Sequence, residues 1–296
     1  MRLKQYLKSL VRVVLLLNPI FFLCLIYGCS TSTQPTYVKE NLSEAVQDIC
    51  KKEYNLYVKS KLVGETLWVY LPLEDILTKS DKPEKYIDKF SIETFSESFD
   101  AGFIRLDYAI RAIPDTEKYQ DYKYNEDVFK KINILWRVLR RIIFSLDRSK
   151  QPEPRFYCLV VADIKNGFVV KEIFYYLDIK KVSYEYISWG EYQHRVIQET
   201  YFLPFVIGDK EGRSFDYEDI TLKDFILAQI QHRIKLKFQK PEVDKNVDID
   251  KEILKIVAFT IKTYEFKEFY SLELNNLITQ NRILLNQTAL LNRPID

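Results

Sequence analysis

The sequence predicts an α+β fold built from helix-plus-hairpin (αββ) units, with a mainly antiparallel sheet. Three segments share one order of elements, in which a helix is followed by two strands joined by a turn. Residues 102–112 alternate apolar with largely polar side chains, as a half-buried antiparallel strand does. Hydrophobic residues make up 47% of the 296-residue chain, which excludes a disordered protein.

The first αββ unit is predicted over residues 40–78. Asn41-Leu42-Ser43-Glu44 has the spacing of a capping box, and apolar residues then recur on one helical face. Residues 54–63 form its first strand, Gly64-Glu65 the turn, and residues 66–70 the returning strand.

The second αββ segment begins with a helix near Asn125, because apolar residues recur at helical spacing from Val128 to Leu146. Residues 156–163 and 168–177 are then rich in β-branched and aromatic side chains. Lys165-Asn166-Gly167 lies between these two runs and is the strongest hairpin signal in the chain.

The third αββ segment begins after Asp248 with an apolar helical stripe over residues 249–264. Residues 269–274 and 282–286 form its hairpin in one interpretation, and residues 277–291 are helical in the other. The three segments are either true repeats or a convergent alternation of common elements. At the level of topology alone they resemble small αββ modules of bacterial envelope proteins.

Other elements lie between these units. Residues 182–187 are predicted as a short strand, Ser188-Trp189-Gly190-Glu191 as a capping box that opens a helix through Gln198, and Thr221 as the start of another helix. Charged, proline-containing stretches at residues 79–83 and 239–246 are the predicted linkers. They delimit a central α+β domain at 79–240 and a C-terminal helix plus hairpin at 241–296.

Residues 1–28 have the organisation of a secretory signal peptide. An apolar stretch at residues 13–27 follows four basic residues, which are Arg2, Lys4, Lys8 and Arg12. The stretch is shorter than the roughly 20 residues that a transmembrane helix needs, and Pro19 interrupts it. A cleaved signal is therefore predicted.

The end of this leader, Leu25-Ile26-Tyr27-Gly28-Cys29, resembles the lipobox of bacterial lipoproteins. The resemblance implies that the leader is cut before Cys29, and that its thiol and the new N-terminus are acylated. An ordinary signal with a chance cysteine, or an uncleaved anchor, is the alternative. Residues 29–39 are predicted as a flexible tether. By the same resemblance, Ser30 in place of Asp favours the outer membrane, facing the periplasm.

Two cysteines remain in the predicted mature body. Cys50 and Cys158 form a disulfide in one interpretation, because the periplasm is oxidising. In the other interpretation they are two buried free thiols, since free cysteine is among the most buried residue types.

No cofactor, metal or nucleic acid is predicted. The phosphate-binding motifs GxGxxG and GxxxxGK[ST] and the catalytic motifs GxSxG and HExxH are absent from the sequence, and no Cys/His spacing suggests a metal site. Cleavage before Cys29 leaves 40 basic against 42 acidic side chains, whereas nucleic-acid-binding proteins carry a basic excess.

Three groups of residues are candidates for binding. Trp189 and Glu191 together suit a sugar, although they equally suit a buried tryptophan and a helix cap. A tyrosine cluster suits a protein interface or simply a half-buried sheet, and comprises Tyr175, Tyr176, Tyr184 and Tyr186. A basic run suits lipid headgroups, an acidic partner or a solvated helix face, and comprises Arg137, Arg140, Arg141 and Arg148.

The sequence thus predicts a non-catalytic lipoprotein of the bacterial cell envelope. It is held to the membrane by acyl chains on Cys29, and its body binds an envelope protein or supports an assembly. The alternative function is cell-wall glycan binding or hydrolysis that uses Glu191 and Trp189.

Overall fold

A computed structural model describes residues 37–146 and 153–293 of the chain, and the structural statements below concern these residues. The predicted signal peptide, Cys29 and tether residues 30–36 lie outside the described part, as does Arg148. Tyr37 is described, and it packs against the core instead of belonging to a free tether.

The described chain forms helices and two mostly antiparallel sheets, which confirms the predicted α+β class. In order, the elements are α1 (Leu42–Tyr54), β1 (Lys59–Val63), β2 (Thr66–Leu73), β3 (Leu77–Asp100), β4 (Phe103–Tyr124), α2 (Glu126–Leu146), β5 (Phe156–Asp163), β6 (Phe168–Tyr175), α3 (Tyr176–Ser183), α4 (Trp189–Arg195), β7 (Ile197–Phe202), α5 (Leu222–Gln239), α6 (Ile249–Thr263), β8 (Ser271–Asn276), β9 (Arg282–Asn286) and α7 (Gln287–Leu291).

All three predicted αββ segments form a helix followed by an antiparallel hairpin. The hairpin signal at Lys165-Asn166-Gly167 is confirmed, and Gly167 adopts a φ of 79°, which a residue with a side chain rarely adopts. In the third segment the hairpin interpretation is confirmed, and the chain returns to a helix only at Gln287.

The strands form two sheets that share one plan. Sheet I has the order β1-β2-β5-β6-β7, and sheet II has the order β3-β4-β8-β9. In each sheet two hairpins lie side by side, and the parallel pairs β2·β5 and β4·β8 join them. The other neighbouring strands are antiparallel.

Two apolar clusters fill the space between the layers. The outer cluster lies between sheet I and helices α1 and α2, and includes Val69, Leu139 and Leu159. The inner cluster covers the opposite face of sheet I and is shared with α5, α6 and one face of sheet II, for example through Phe225 and Leu274. The resulting order of layers is α1 and α2, sheet I, α5 and α6, and sheet II.

The β3–β4 hairpin is long, with strands of 24 and 22 residues. Its tip belongs to sheet II, whereas residues 79–87 and 114–123 are largely exposed on both faces. These two stretches are called the exposed ribbon below.

The predicted linker at residues 79–83 and the domain boundary at 78/79 are wrong, because β3 runs through both. A ribbon with solvent on both faces needs no alternation of apolar residues, so its sequence looks like a loop. Pro83 fits because it lies in a register irregularity between Lys79 and Glu84. The boundary at 240/241 follows the end of α5, but sheet II pairs strands from both sides of it.

The region between β6 and β7 differs from the prediction. The predicted strand at 182–187 is instead the end of α3 and a turn, in which Glu185 has a φ of 61°. Helix α4 ends at Arg195, and β7 begins at Ile197, before the predicted helix end at Gln198. Hydrogen bonds from β6 to this edge strand outweigh the weak helical pattern. None of the described helices is both long and apolar enough to cross a bilayer.

Candidate functional site: the outer face of helix α2 and the turn beside it

The turn between α3 and α4 presents three large aromatic side chains to solvent. Tyr184 is 58% exposed, Tyr186 is 80% exposed and Trp189 is 60% exposed. Single exposed aromatic residues are common, but three within six residues form a surface that suits a partner with apolar and polar groups.

This turn packs against helix α2. The ring of Phe144 lies 5.5 Å from that of Tyr184, and Tyr184 lies 6.4 Å from Tyr186. Trp136 and Trp189 both approach Tyr192, at centroid distances of 6.3 Å and 5.3 Å. The contacts of Trp136 and Phe144, which are eight residues apart on one side of α2, hold the aromatic turn beside that helix.

The basic run lies on the outer face of the same helix. Arg137, Arg140 and Arg141 are exposed, and their spacing places them on one side of α2. Arg141 donates two hydrogen bonds of 2.8 Å to Glu53 of α1. The hydrogen bonds from Arg141 to Glu53 and the nearby phenol of Tyr37 raise the pKa of Arg141. Arg137 and Arg140 form no ion pair with a described residue.

We call this combined region the α2 surface, and it consists of Arg137, Arg140, Arg141, Tyr184, Tyr186 and Trp189. All six residues stand out in the sequence, but they belong there to separate groups. The contacts of Trp136, Phe144 and Tyr192 that bring the groups together carry no sequence signal, because they join segments about 50 residues apart.

Directly beneath the turn lies a buried cluster of charges. Arg195 donates to Asp178 at 2.7 Å and to Glu191 at 2.8 Å, and Tyr264 donates to the second oxygen of Asp178 at 2.9 Å. Arg233 of α5 also reaches Glu191, at 3.2 Å. The cluster balances two guanidinium groups with two carboxylates and connects α3, α4, α5 and α6.

Glu191 is therefore engaged in two ion pairs. Burial alone would raise its pKa, but the hydrogen bond from Arg195 and the charge of Arg233 outweigh burial and lower the pKa below its ordinary value. A glycosidase acid needs the opposite shift, since it must hold its proton until it gives it to the leaving group. The backbone N–H of Glu191 donates to the Ser188 hydroxyl. This bond is one of the two that define the predicted capping box, and the Glu191 side chain pairs with arginines instead of forming the other.

Tyr175 and Tyr176 belong to the interior and not to the α2 surface. Tyr175 ends β6 and packs against Phe156, Phe225 and Tyr264 at centroid distances of 5.6, 6.0 and 5.8 Å. Tyr176 begins α3, half-buried, with the Lys180 ammonium 4.9 Å from its ring. Tyr175 and Tyr176 therefore serve in packing. Of the two interpretations of the tyrosine cluster, the half-buried sheet applies to this pair.

Cys50 and Cys158 are both free and buried, so the disulfide interpretation is corrected. Cys50 lies in the outer cluster, whereas the side chain of Cys158 points into the inner cluster on the other face of sheet I. The sheet itself separates the two thiols. Burial raises the pKa of Cys50 to about 12 and also raises the pKa of Cys158.

A partly buried carboxylate, that of Glu172, lies on the side of β6 that faces α1 and α2. One oxygen of Glu172 accepts a 3.1 Å hydrogen bond from Gln198, and the other is buried without a partner among the described residues. Burial raises the pKa of Glu172 to about 7. In the sequence Glu172 stands beside Lys171 in the middle of an otherwise apolar strand, and nothing in this local pattern marks it as a site residue.

Within residues 37–146 and 153–293 no group of acidic, histidine and cysteine side chains is arranged to hold a metal ion. The chain matches no protein-family model, no curated protein and no solved structure at a significant level.

Proposed function

We propose that the protein is a lipid-anchored component of the bacterial cell envelope, with a non-catalytic binding or assembly role. The observation that carries the proposal is Leu25-Ile26-Tyr27-Gly28-Cys29, which follows a basic and then apolar leader. Acylation of Cys29 fixes the body to the membrane, since two or more acyl chains give stable anchoring. We favour the outer membrane, with the body in the periplasm.

Metabolic labelling with an alkyne fatty acid tests the anchor. We expect the wild-type protein and Cys24→Ala to incorporate the label, and Cys29→Ala to lose it. Cys24 is a matched control, because it lies in the same apolar leader but ahead of the predicted cleavage site. Equal labelling of Cys29→Ala and the wild type would refute the lipoprotein assignment.

A binding role is supported by the surfaces that the body offers. The exposed ribbon carries unpaired backbone N–H and C=O groups along its edges, which are groups that a strand of another protein can pair with. Tyr119 and Tyr122 also extend from it, each more than half exposed. Tyrosine is enriched at protein interfaces.

In-cell photo-crosslinking tests the binding role. A photoreactive amino acid at Tyr122 is compared with the same amino acid at Leu284, which is similarly exposed but lies in sheet II away from the exposed ribbon. We expect one envelope protein to be captured reproducibly at Tyr122 and not at Leu284. Identical capture profiles at both positions would contradict a specific partner at the exposed ribbon.

Glycan binding is the second candidate, and the exposure of Trp189 favours it over glycan hydrolysis. An exposed indole can stack on a sugar ring, whereas Glu191 is held ionised between Arg195 and Arg233. Co-sedimentation with purified cell-wall sacculi tests it. Binding that Trp189→Ala abolishes and Phe205→Ala leaves unchanged would support glycan recognition, and Phe205 is a control of similar exposure.

A further inference from the structure

We propose that the α2 surface lies on the membrane that holds the anchor and contacts anionic lipid headgroups. The inference rests on the proposed function, because the acylated Cys29 is what keeps the body next to a bilayer. It adds the orientation of the body relative to the bilayer and names the partner of the α2 surface.

The point where the described chain begins supports this orientation. Tyr37 packs against the outer cluster and lies close enough to Arg141 to raise the pKa of its guanidinium. Eight residue steps separate Cys29 from Tyr37, and an extended chain of that length spans at most about 29 Å. The anchor therefore keeps the side of the body that carries Tyr37 and Arg141 within about 29 Å of the headgroups.

The order of layers places the rest of the body further from the bilayer than α1 and α2. Helices α1 and α2 form the outermost layer on this side, and sheet II lies on the other side of sheet I, α5 and α6. Each further layer adds about 10 Å. The exposed face of sheet II is consequently the part of the body furthest from the bilayer.

The charges of α2 suit an anionic surface. Residues 128–146 include five basic side chains and no acidic one. Glu53 engages Arg141, and Glu185 lies between Tyr184 and Tyr186, so the attraction depends mainly on Arg137 and Arg140. Each basic residue near an anionic leaflet strengthens binding by about fivefold.

The aromatic part of the α2 surface suits the same location. Tyrosine and tryptophan concentrate at the level of the headgroups, because their rings are apolar and their O–H or N–H remains hydrated. Tyr186 and Trp189 are exposed on the turn that packs against α2, the helix that carries the two arginines, so ring insertion and charge attraction can act together. An acidic protein would need no such rings at the side where the tether emerges.

The experiment uses the full, lipidated protein in vesicles of phosphatidylethanolamine and phosphatidylglycerol. A polarity-sensitive fluorophore is attached at Tyr186→Cys, and at Leu284→Cys in sheet II as the matched control. Cys50 and Cys158 are buried and will not compete for the label. We expect the probe at 186 to shift to the blue and to be quenched by doxyl lipids, with no change at 284.

Arg137→Gln and Arg140→Gln, introduced together into the Tyr186→Cys protein, should lower the ratio of docked to undocked probe by roughly 25-fold. Vesicles of phosphatidylcholine alone should lower it similarly. If the protein co-sediments with the vesicles but both probes remain equally exposed to water, the docking is refuted and the anchor stands. If the protein does not co-sediment, both proposals fall. A shift at 186 that requires added envelope proteins would also refute lipid docking, in favour of a protein partner.

Discussion

Replacing Arg195 by methionine should strongly destabilise the fold. The guanidinium of Arg195 connects Asp178 and Glu191, and its side chain is 8% exposed while that of Asp178 is 1% exposed. Methionine keeps most of the volume of the arginine side chain but carries no charge. The Asp178 carboxylate then stays buried, with the Tyr264 hydroxyl as its one remaining side-chain donor among the described residues. Breaking one partner of a buried ion pair costs about 3–5 kcal/mol.

The hydrogen bond from Tyr264 offsets about 1 kcal/mol of this loss, so we expect the free energy of unfolding to fall by about 3 kcal/mol. For a protein of this size the midpoint of thermal unfolding should then fall by about 6–12 °C. Urea unfolding followed by tryptophan fluorescence and circular dichroism measures the free energy directly.

Arg105→Met is the matched control. Arg105 also pairs with an aspartate, Asp107 at 3.0 Å, but its side chain is 55% exposed. Exposed pairs contribute about 0–1 kcal/mol. If Arg195→Met lowers the free energy of unfolding no more than Arg105→Met does, the buried charge cluster around Arg195 does not stabilise the fold as proposed. Adding Asp178→Leu to Arg195→Met should recover part of the stability, because no charge then stays buried without its partner.

Three further predictions concern buried groups and a turn. The pKa of Glu172 is raised from 4.5 to about 7, so the contribution of Glu172 to the free energy of unfolding is fully present below pH 4.5 and is lost as the pH rises through about 7, and Glu172→Gln should remove this part of the pH dependence in urea titrations at several pH values. Cys50 and Cys158 should resist maleimide in the folded protein, and the unfolded mature lipoprotein should expose these two thiols, whereas an unprocessed chain would expose four. Gly167→Ala should destabilise the β5–β6 hairpin by about 1–2 kcal/mol, measured by thermal unfolding, because Gly167 has a positive φ of 79°.

Periodicity predicts the elements of this fold well where one face of an element is buried. The apolar stripe of α2 and the Asn-Gly turn after β5 are examples, since each is a local pattern with one dominant explanation. The exposed ribbon is the counterexample, because neither of its faces is buried and no pattern results. The parallel pairs β2·β5 and β4·β8 join distant segments, and no local signal predicts them.

The candidate site likewise has a part that the sequence predicts and a part that it does not. Trp189, Tyr184 and Tyr186 can be identified from residue type alone, because aromatic residues near turns are candidates for binding. Their neighbourhood cannot, since Phe144 lies 40 residues away from Tyr184 along the chain. The charge cluster around Arg195 depends on four helices meeting, so the low pKa of Glu191 emerges only from the tertiary structure.

The pairing of β4 with β8 also sets an order for assembly. Sheet I contains no described residue beyond Phe202, so its strands can pair before the residues that follow have been synthesised. Sheet II is completed only by residues 271–286, which lie more than 140 residues beyond β4 in the sequence. During that interval the inner edge of β4, with Ile104 and Leu106, has no neighbouring strand. The free edge of β4 is thus most prone to wrong pairing before residues 271–286 have been synthesised, and a chaperone that covers this edge would be most useful at that time.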